Sequence, residues 1–336
     1  MKKLILPFFS VALLTSCASV NYTYDGKAFN RSLETISQDN LKKNLYVIAG
    51  DEMAGRDTGS PGQKKAGEYI IKQYQSMGVS HPDVTSSFYQ KIPAAALNAG
   101  RRSALTDSEN IMAYIKGSEK PDEVIVVSAH YDHVGTKDGV IYNGADDDGS
   151  GTVAVMEIAK AFQNAKKNGH GPKRSILFLH VTGEEHGLLG SKYYADNPVY
   201  PMANTVANLN IDMIGRCDAD NCGKDYVYVI GSEMLSTDLK KINVEANNKT
   251  TKMLLNYKYD DPKDPQRLYY RSDHYNFAKN NVPVAFFFDG IHEDYHKPTD
   301  DPEKIDYSAL QKRAKLVFAT AWELANRKDR IVVDKK

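Results

Sequence analysis

Apolar residues are grouped along this chain into short runs separated by polar, glycine-containing stretches. Six runs are rich in β-branched or aromatic side chains: residues 110–115, 123–129, 175–181, 206–211, 226–230 and 284–288. Runs of this length and composition predict β-strands. Between them, residues 151–165, 190–195, 236–247, 273–279 and 307–326 carry helical spacing, and upstream residues 33–48 and 62–77 do the same. The turn Gly59-Ser60-Pro61-Gly62 introduces the second upstream helix. Strands alternating with helices predict an α/β protein, a three-layer α/β/α sandwich with a central, mostly parallel mixed sheet. Residues 87–107 show no clear period. Residues 257–271, dense in Tyr, Asp, Lys and Pro, read either as a long loop at the mouth of a site or as a plain solvated loop.

Four predicted strands run toward side chains that can bind a metal. His130 follows 123–129, Glu184 and Glu185 follow 175–181, Asp212 follows 206–211, and His296 lies beyond 283–289. An acid of the run Asp146-Asp147-Asp148 is the fifth candidate. In open α/β sheets, groups placed beyond the carboxyl ends of the strands converge in one crevice although they are distant in sequence. His, Glu and Asp are also ligands for Zn²⁺.

Each piece has a plainer reading when taken alone. His130, with Asp132 two residues on, is compatible with a structural histidine; as a ligand it needs its second ring nitrogen fixed, a task open to Asp132 or its neighbours. One Asp near the start of the helix at Gly151 is an ordinary cap, but three in a row repel unless a cation offsets them. Glu184 and Glu185, flanked by Gly183 and Gly187, allow one glutamate to bind metal while the other acts as general base. Asp212 lies in an apolar segment where an unpaired carboxylate is costly, and Tyr295 stands beside His296. His81, His133, His170, His180, His186 and His292 read as packing, capping or surface residues, and His274 as packing or as a neighbour of the substrate pocket.

Composition narrows the setting. Lys2 and Lys3, an apolar stretch over 4–14 and Leu14-Thr15-Ser16-Cys17 form a bacterial secretory signal in outline, with the last four residues resembling a lipobox. The expected organisation is a signal at 1–16, a polar tether at 17–30 lipid-anchored through Cys17, and one catalytic domain over 31–330. Ala18 and Ser19 after the cysteine favour the outer membrane, facing the periplasm or the cell surface. A chain that is 41% hydrophobic can bury one large core. Removal of 1–16 takes away two lysines, leaving 41 basic against 43 acidic side chains, which excludes nucleic-acid binding by bulk charge. In an oxidising compartment Cys217 and Cys222 read as a local disulfide, with two free thiols as the alternative.

The order of these pieces resembles the bacterial di-zinc aminopeptidases of the co-catalytic zinc exopeptidase superfamily. The resemblance runs from about residue 51 to the last helix. It includes the segments 52–60 and Arg271-Ser272-Asp273-His274. It implies two Zn²⁺ per chain: His130 and Asp212 on one, Glu185 and His296 on the other, and Asp147 bridging both. It implies Glu184 as general base, Asp132 as the carboxylate behind His130, and Tyr295 near the oxyanion of the reaction. Peptides are then the substrates, cut after the N-terminal residue. Cobalt or manganese can occupy the same ligands.

A zinc-dependent glutaminyl cyclase shares this fold and most of these positions. Such enzymes usually line the pocket with tryptophan, whereas the single tryptophan here, Trp322, lies in the last predicted helix. A dipeptidase or carboxypeptidase needs a cation for the substrate carboxylate, for which Arg216, Arg267 and Arg271 are candidates. A binding relative that lost the chemistry is disfavoured, because all five ligands and the base are present.

Overall fold

The computed structural model describes residues 23–335 apart from 25, 102, 103 and 262. Residues 1–22, with the signal segment and Cys17, lie outside the described residues. The strands are β1 (Tyr89–Ile92), β2 (Ser108–Ile115), β3 (Lys120–His130), β4 (Thr136–Lys137), β5 (Val140–Ile141), β6 (Arg174–Val181), β7 (Thr205–Ile211), β8 (Tyr226–Ile230), β9 (Leu254–Asn256) and β10 (Val284–Phe288). The α-helices are α1 (Lys27–Leu33), α2 (Gln38–Ile48), α3 (Pro61–Met77), α4 (Ala94–Leu97), α5 (Gly151–Lys167), α6 (Leu189–Asp196), α7 (Thr237–Lys249), α8 (His274–Ala278) and α9 (Tyr307–Asn326).

Eight strands form one sheet in the order β1-β2-β6-β3-β7-β10-β8-β9, and β4 and β5 make a separate hairpin. The middle four, β6-β3-β7-β10, are mutually parallel. Antiparallel pairings of β2 with β6 and β8 with β10 flank them. Strand β3 shows why its run is apolar throughout. Ile125, Val127 and Ala129 enter the core under α5 and α9, while Val124 and Val126 enter a second core with Tyr194 of α6 and Phe277 of α8. A strand covered on both faces cannot alternate polar with apolar. The three layers follow the expected α/β/α plan.

Two expectations shift. The helix expected over 33–48 begins only at Gln38, with Leu33 ending the preceding α1, because Ser37 leaves the helical path and its side chain caps α2 by accepting from the Asn40 N–H. The tether expected over 17–30 does not extend through that range: Tyr24 and Phe29 are buried, and the Thr23 hydroxyl donates to Glu323 Oε2 at 2.7 Å. Phe29 packs beside Phe318 and Trp322, which places the single tryptophan in the core.

Candidate metal centre and active site

The four parallel strands deliver the site. His130 is the last residue of β3, Asp212 follows β7, Glu184 and Glu185 sit on the turn after β6, and His296 lies in the loop after β10. Asp147 comes from the bend ahead of α5. The structure brings all five expected ligands together. Asp147 Oδ1 lies 3.2 Å from His130 Nε2, and Asp212 Oδ1 is 3.6 Å from the same nitrogen. Asp147 Oδ2 lies 3.0 Å from His296 Nε2, which is 3.1 Å from Glu185 Oε2. Two ligand atoms about 2 Å from one tetrahedral zinc stand about 3.3 Å apart, so both sets have the spacing of atoms that share an ion.

The buried polar atoms test the fit independently. His130 Nε2 and Asp147 Oδ2 have no hydrogen-bond partner among the described residues. Orphaned polar atoms are expensive in an interior, and a cation between them removes that cost. The residues present therefore fit a pair of divalent metal ions.

The protein fixes these ligands through their neighbours. The Asp132 carbonyl stands 3.0 Å from His130 Nδ1, and this backbone group, rather than the carboxylate at 3.8 Å, holds the ring. The Asp132 carboxylate accepts instead from the Thr58 hydroxyl and the Glu184 N–H. Asp212 Oδ2 accepts from Ser272 at 2.6 Å, and Asn210 donates to Ser272 in turn. Of the three consecutive acids only Asp147 reaches both subsites. Asp148 also stands near His130 and Asp212, but its oxygens accept the N–H groups of His130, Gly151 and Met213. Asp146 accepts from the Gly215 N–H and lies 3.2 Å from His292 Nε2. Buried Arg56, from the segment after α2, donates to the carbonyls of Ile48, Tyr131, Asn143 and Gly144, tying the acidic loop to the end of β3.

The site's electrostatics follow from burying acids together. Burial is the largest influence on Glu184, and with Asp212, Asp273 and Glu185 it pushes this carboxyl well above the usual range. Burial opposes charge on His296 as well, yet Asp147 and Glu185 outweigh it and raise the imidazole to about 10. Asp147 is held well below the carboxylate range, because His130 and His296 outweigh its burial.

A pocket opens beside the two subsites. Asp147, Glu184 and Asp212 form its acidic side, and Met213, Leu268, Phe286, Phe288 and Ile291 its apolar side, with Arg271 and Tyr295 also lining it. The ring of Tyr295 stacks on His296 with centroids 3.9 Å apart. The segment 257–271 reaches this mouth through Leu268 and Arg271. Cys217 and Cys222 are disulfide-bonded, and Cys217 packs beside the cluster that holds Met213, Phe286 and Phe288.

Two histidines contradict their plain reading. His133 is fully buried with Nδ1 2.8 Å from Glu185 Oε1, and His292 faces Asp146. The spacing His130-x-x-His133 was the only signal for the former. His274 is buried, stacks on Phe286 and is pulled down to about 3 by burial, so it supports the pocket wall as a neutral ring. Arg216 pairs with Asp294.

Comparison with known proteins agrees with this geometry. The chain is 28% identical over 335 residues to a probable leucine aminopeptidase of Trichophyton verrucosum, covering 95% of this chain and 85% of that one. Its fold matches the LapA aminopeptidase of Legionella pneumophila with a TM-score of 0.71 at 20% identity, covering 98% of this chain and 81% of the other. It also matches a glutaminyl cyclase of Bacteroides thetaiotaomicron with a TM-score of 0.67 at 18% identity, covering 87% and 99%. The model of peptidase family M28 matches residues 110–321, well over half of the chain, and the protein belongs to that family.

Proposed function

We propose that the protein is a di-zinc aminopeptidase that removes one apolar residue from the N-terminus of peptides. The observation that carries this reading is the two-sided pocket. The scissile carbonyl and the α-amino group beside it fit at the metal subsites, where Asp147, Glu184 and Asp212 line the cavity, and the side chain of the same residue fits the wall of Met213, Leu268, Phe286, Phe288 and Ile291. Both fit only when the residue is the first in the chain.

His130 and Asp212 would hold one zinc, Glu185 and His296 the other, with Asp147 between the two subsites. Bound zinc lowers the pKa of a coordinated water to about 7 and polarises a carbonyl. Cations bound nearby would favour the ionised form of Glu184. Glu184 then takes the proton of the water that adds to the scissile carbonyl carbon. It returns that proton to the leaving nitrogen as the C–N bond breaks. Tyr295 offers its hydroxyl to the developing oxyanion. Incubation with a leucyl peptide followed by mass spectrometry tests the reading: loss of the first residue alone supports it, and internal cleavage overturns it.

The glutaminyl cyclase reading is kept alive by the shared fold. It is disfavoured by the pocket, because Trp322 is packed in the core and no tryptophan lines the described cavity. Loss of ammonia from a glutaminyl peptide, with no residue removed, would establish it.

We further propose that Cys17 is lipidated and anchors the protein to the bacterial outer membrane. Thr23 is bonded to Glu323 near the end of α9, and Arg174, which opens β6, donates to the carbonyls of Leu324 and Arg327 there. That end lies opposite the metal subsites, about 30 Å along a 20-residue helix. An anchor so placed leaves the pocket open to peptides. Fatty-acid labelling that persists in Cys17→Ser contradicts this placement of the lipid.

A further inference from the structure

We propose that His133 is a positioning residue of the second metal subsite, which donates from Nδ1 to Glu185 Oε1 and thereby presents Glu185 Oε2 to the ion. The inference rests on the di-zinc reading and adds a side chain to it. Glu185 Oε2 faces His296, whereas Oε1 turns to His133 at 2.8 Å. That separation is the length of an N–H···O bond and is shorter than the spacing of two ligands on one zinc. His133 Nδ1 is 3.8 Å from Asp147 Oδ2, longer than any of the ligand pairs described above. His133, Asp147 and Glu185 stand close enough together to share an ion, but the 2.8 Å approach to Oε1 and the longer gap to Asp147 favour a place behind the ligand.

The local chemistry agrees. An ionised carboxylate only accepts, so the nitrogen against it must carry the proton. Neither Nδ1 nor Oε1 has another partner among the described residues. The two complementary atoms face each other at 2.8 Å in an interior, where a polar atom left unpaired is costly. The backbone holds the ring close by. The His133 N–H donates to the Arg56 carbonyl, and a Cβ on Gly144 would stand 2.4 Å from His133 Cγ. The ring also meets His296 edge to face, with centroids 5.8 Å apart, so it braces both ligands of this subsite.

Zinc affinities of the full-length protein, measured by chelator competition with metal content checked by mass spectrometry, test the assignment. His133→Ala is expected to weaken one of the two zincs about 10- to 100-fold and leave the other unchanged, as loss of a partner behind a ligand does. His133→Asn places an amide N–H where Nδ1 stands and is expected to restore most of the loss, which also separates the effect from a folding defect. Unchanged affinity in His133→Ala overturns the proposal. So does complete loss of one zinc, equal to Glu185→Ala and not rescued by Asn, which makes His133 a ligand. A wild-type protein that holds fewer than two zincs overturns the di-zinc reading before His133 is reached.

Discussion

Asp147 faces His130 with one carboxylate oxygen and His296 with the other, at 3.2 Å and 3.0 Å. This single side chain joins the output of β3 to the loop after β10, and every other element of the site is arranged around it. Asp147→Ala is therefore expected to lower the zinc content below one per chain and to cut activity by about 1,000-fold or more. Metal analysis of the dialysed variant checks this.

Glu184 lines the pocket beside Asp147 and Asp212. As the proposed proton carrier it would contribute about 100- to 10,000-fold to rate. Glu184→Gln is expected to lose kcat by that factor while KM and zinc content stay near wild type. Retained turnover removes Glu184 as the base.

The raised pKa of His296, about 10, sets a pH dependence. In the metal-free protein the imidazolium pairs with Asp147 and Glu185, and zinc must displace its proton. Affinity for the second zinc should rise with pH, about tenfold per pH unit for each proton released, until His296 is neutral. The sign for stability is opposite. Because the folded pKa lies above the unfolded value, this pairing stabilises the metal-free protein fully below about pH 6.5 and is lost as pH rises through about 10. Calorimetric zinc titrations and thermal melts at several pH values check both.

On the proposed reading the apolar wall and Arg271, which line the pocket, would set substrate preference. Leucyl and phenylalanyl substrates should exceed alanyl ones in kcat/KM by about 10- to 200-fold, the range that buried methylenes provide. Lysyl and arginyl substrates should be poor, and Arg271→Gln should improve them selectively. A panel of aminoacyl-anilides reads both effects.

The Cys217–Cys222 disulfide closes a short loop beside the pocket wall. Chain-entropy arguments give it about 2 kcal/mol. Cys217→Ser with Cys222→Ser should lower the melting temperature modestly and raise KM more than it lowers kcat.

Much of this was legible in the sequence because the two demands coincide. Strands buried on both faces must be apolar, and a metal ligand stands out immediately beyond such a run, as His130 does after 123–129 and Asp212 after 206–211. His133 was not legible. A buried histidine that braces a ligand and one that merely packs have the same sequence neighbours, and only the 2.8 Å approach to Glu185 separates them. The role of Asp132 shifted for a similar reason, since a backbone carbonyl leaves no trace in residue type. The break between α1 and α2 was hidden because both helices bury apolar faces in one core, and the periodicity runs on across Ser37. Arg56 lies in the segment 52–60, but three of its four carbonyl partners, those of Tyr131, Asn143 and Gly144, are distant in sequence.

The most direct test of the central claim is hydrolysis of leucyl-anilide and N-acetyl-leucyl-anilide by the purified protein, with and without a chelator. The account predicts chelator-sensitive release from the free-amine substrate alone, restored by zinc. Equal cleavage of the acetylated substrate, or cleavage that persists in the metal-stripped protein, would contradict it.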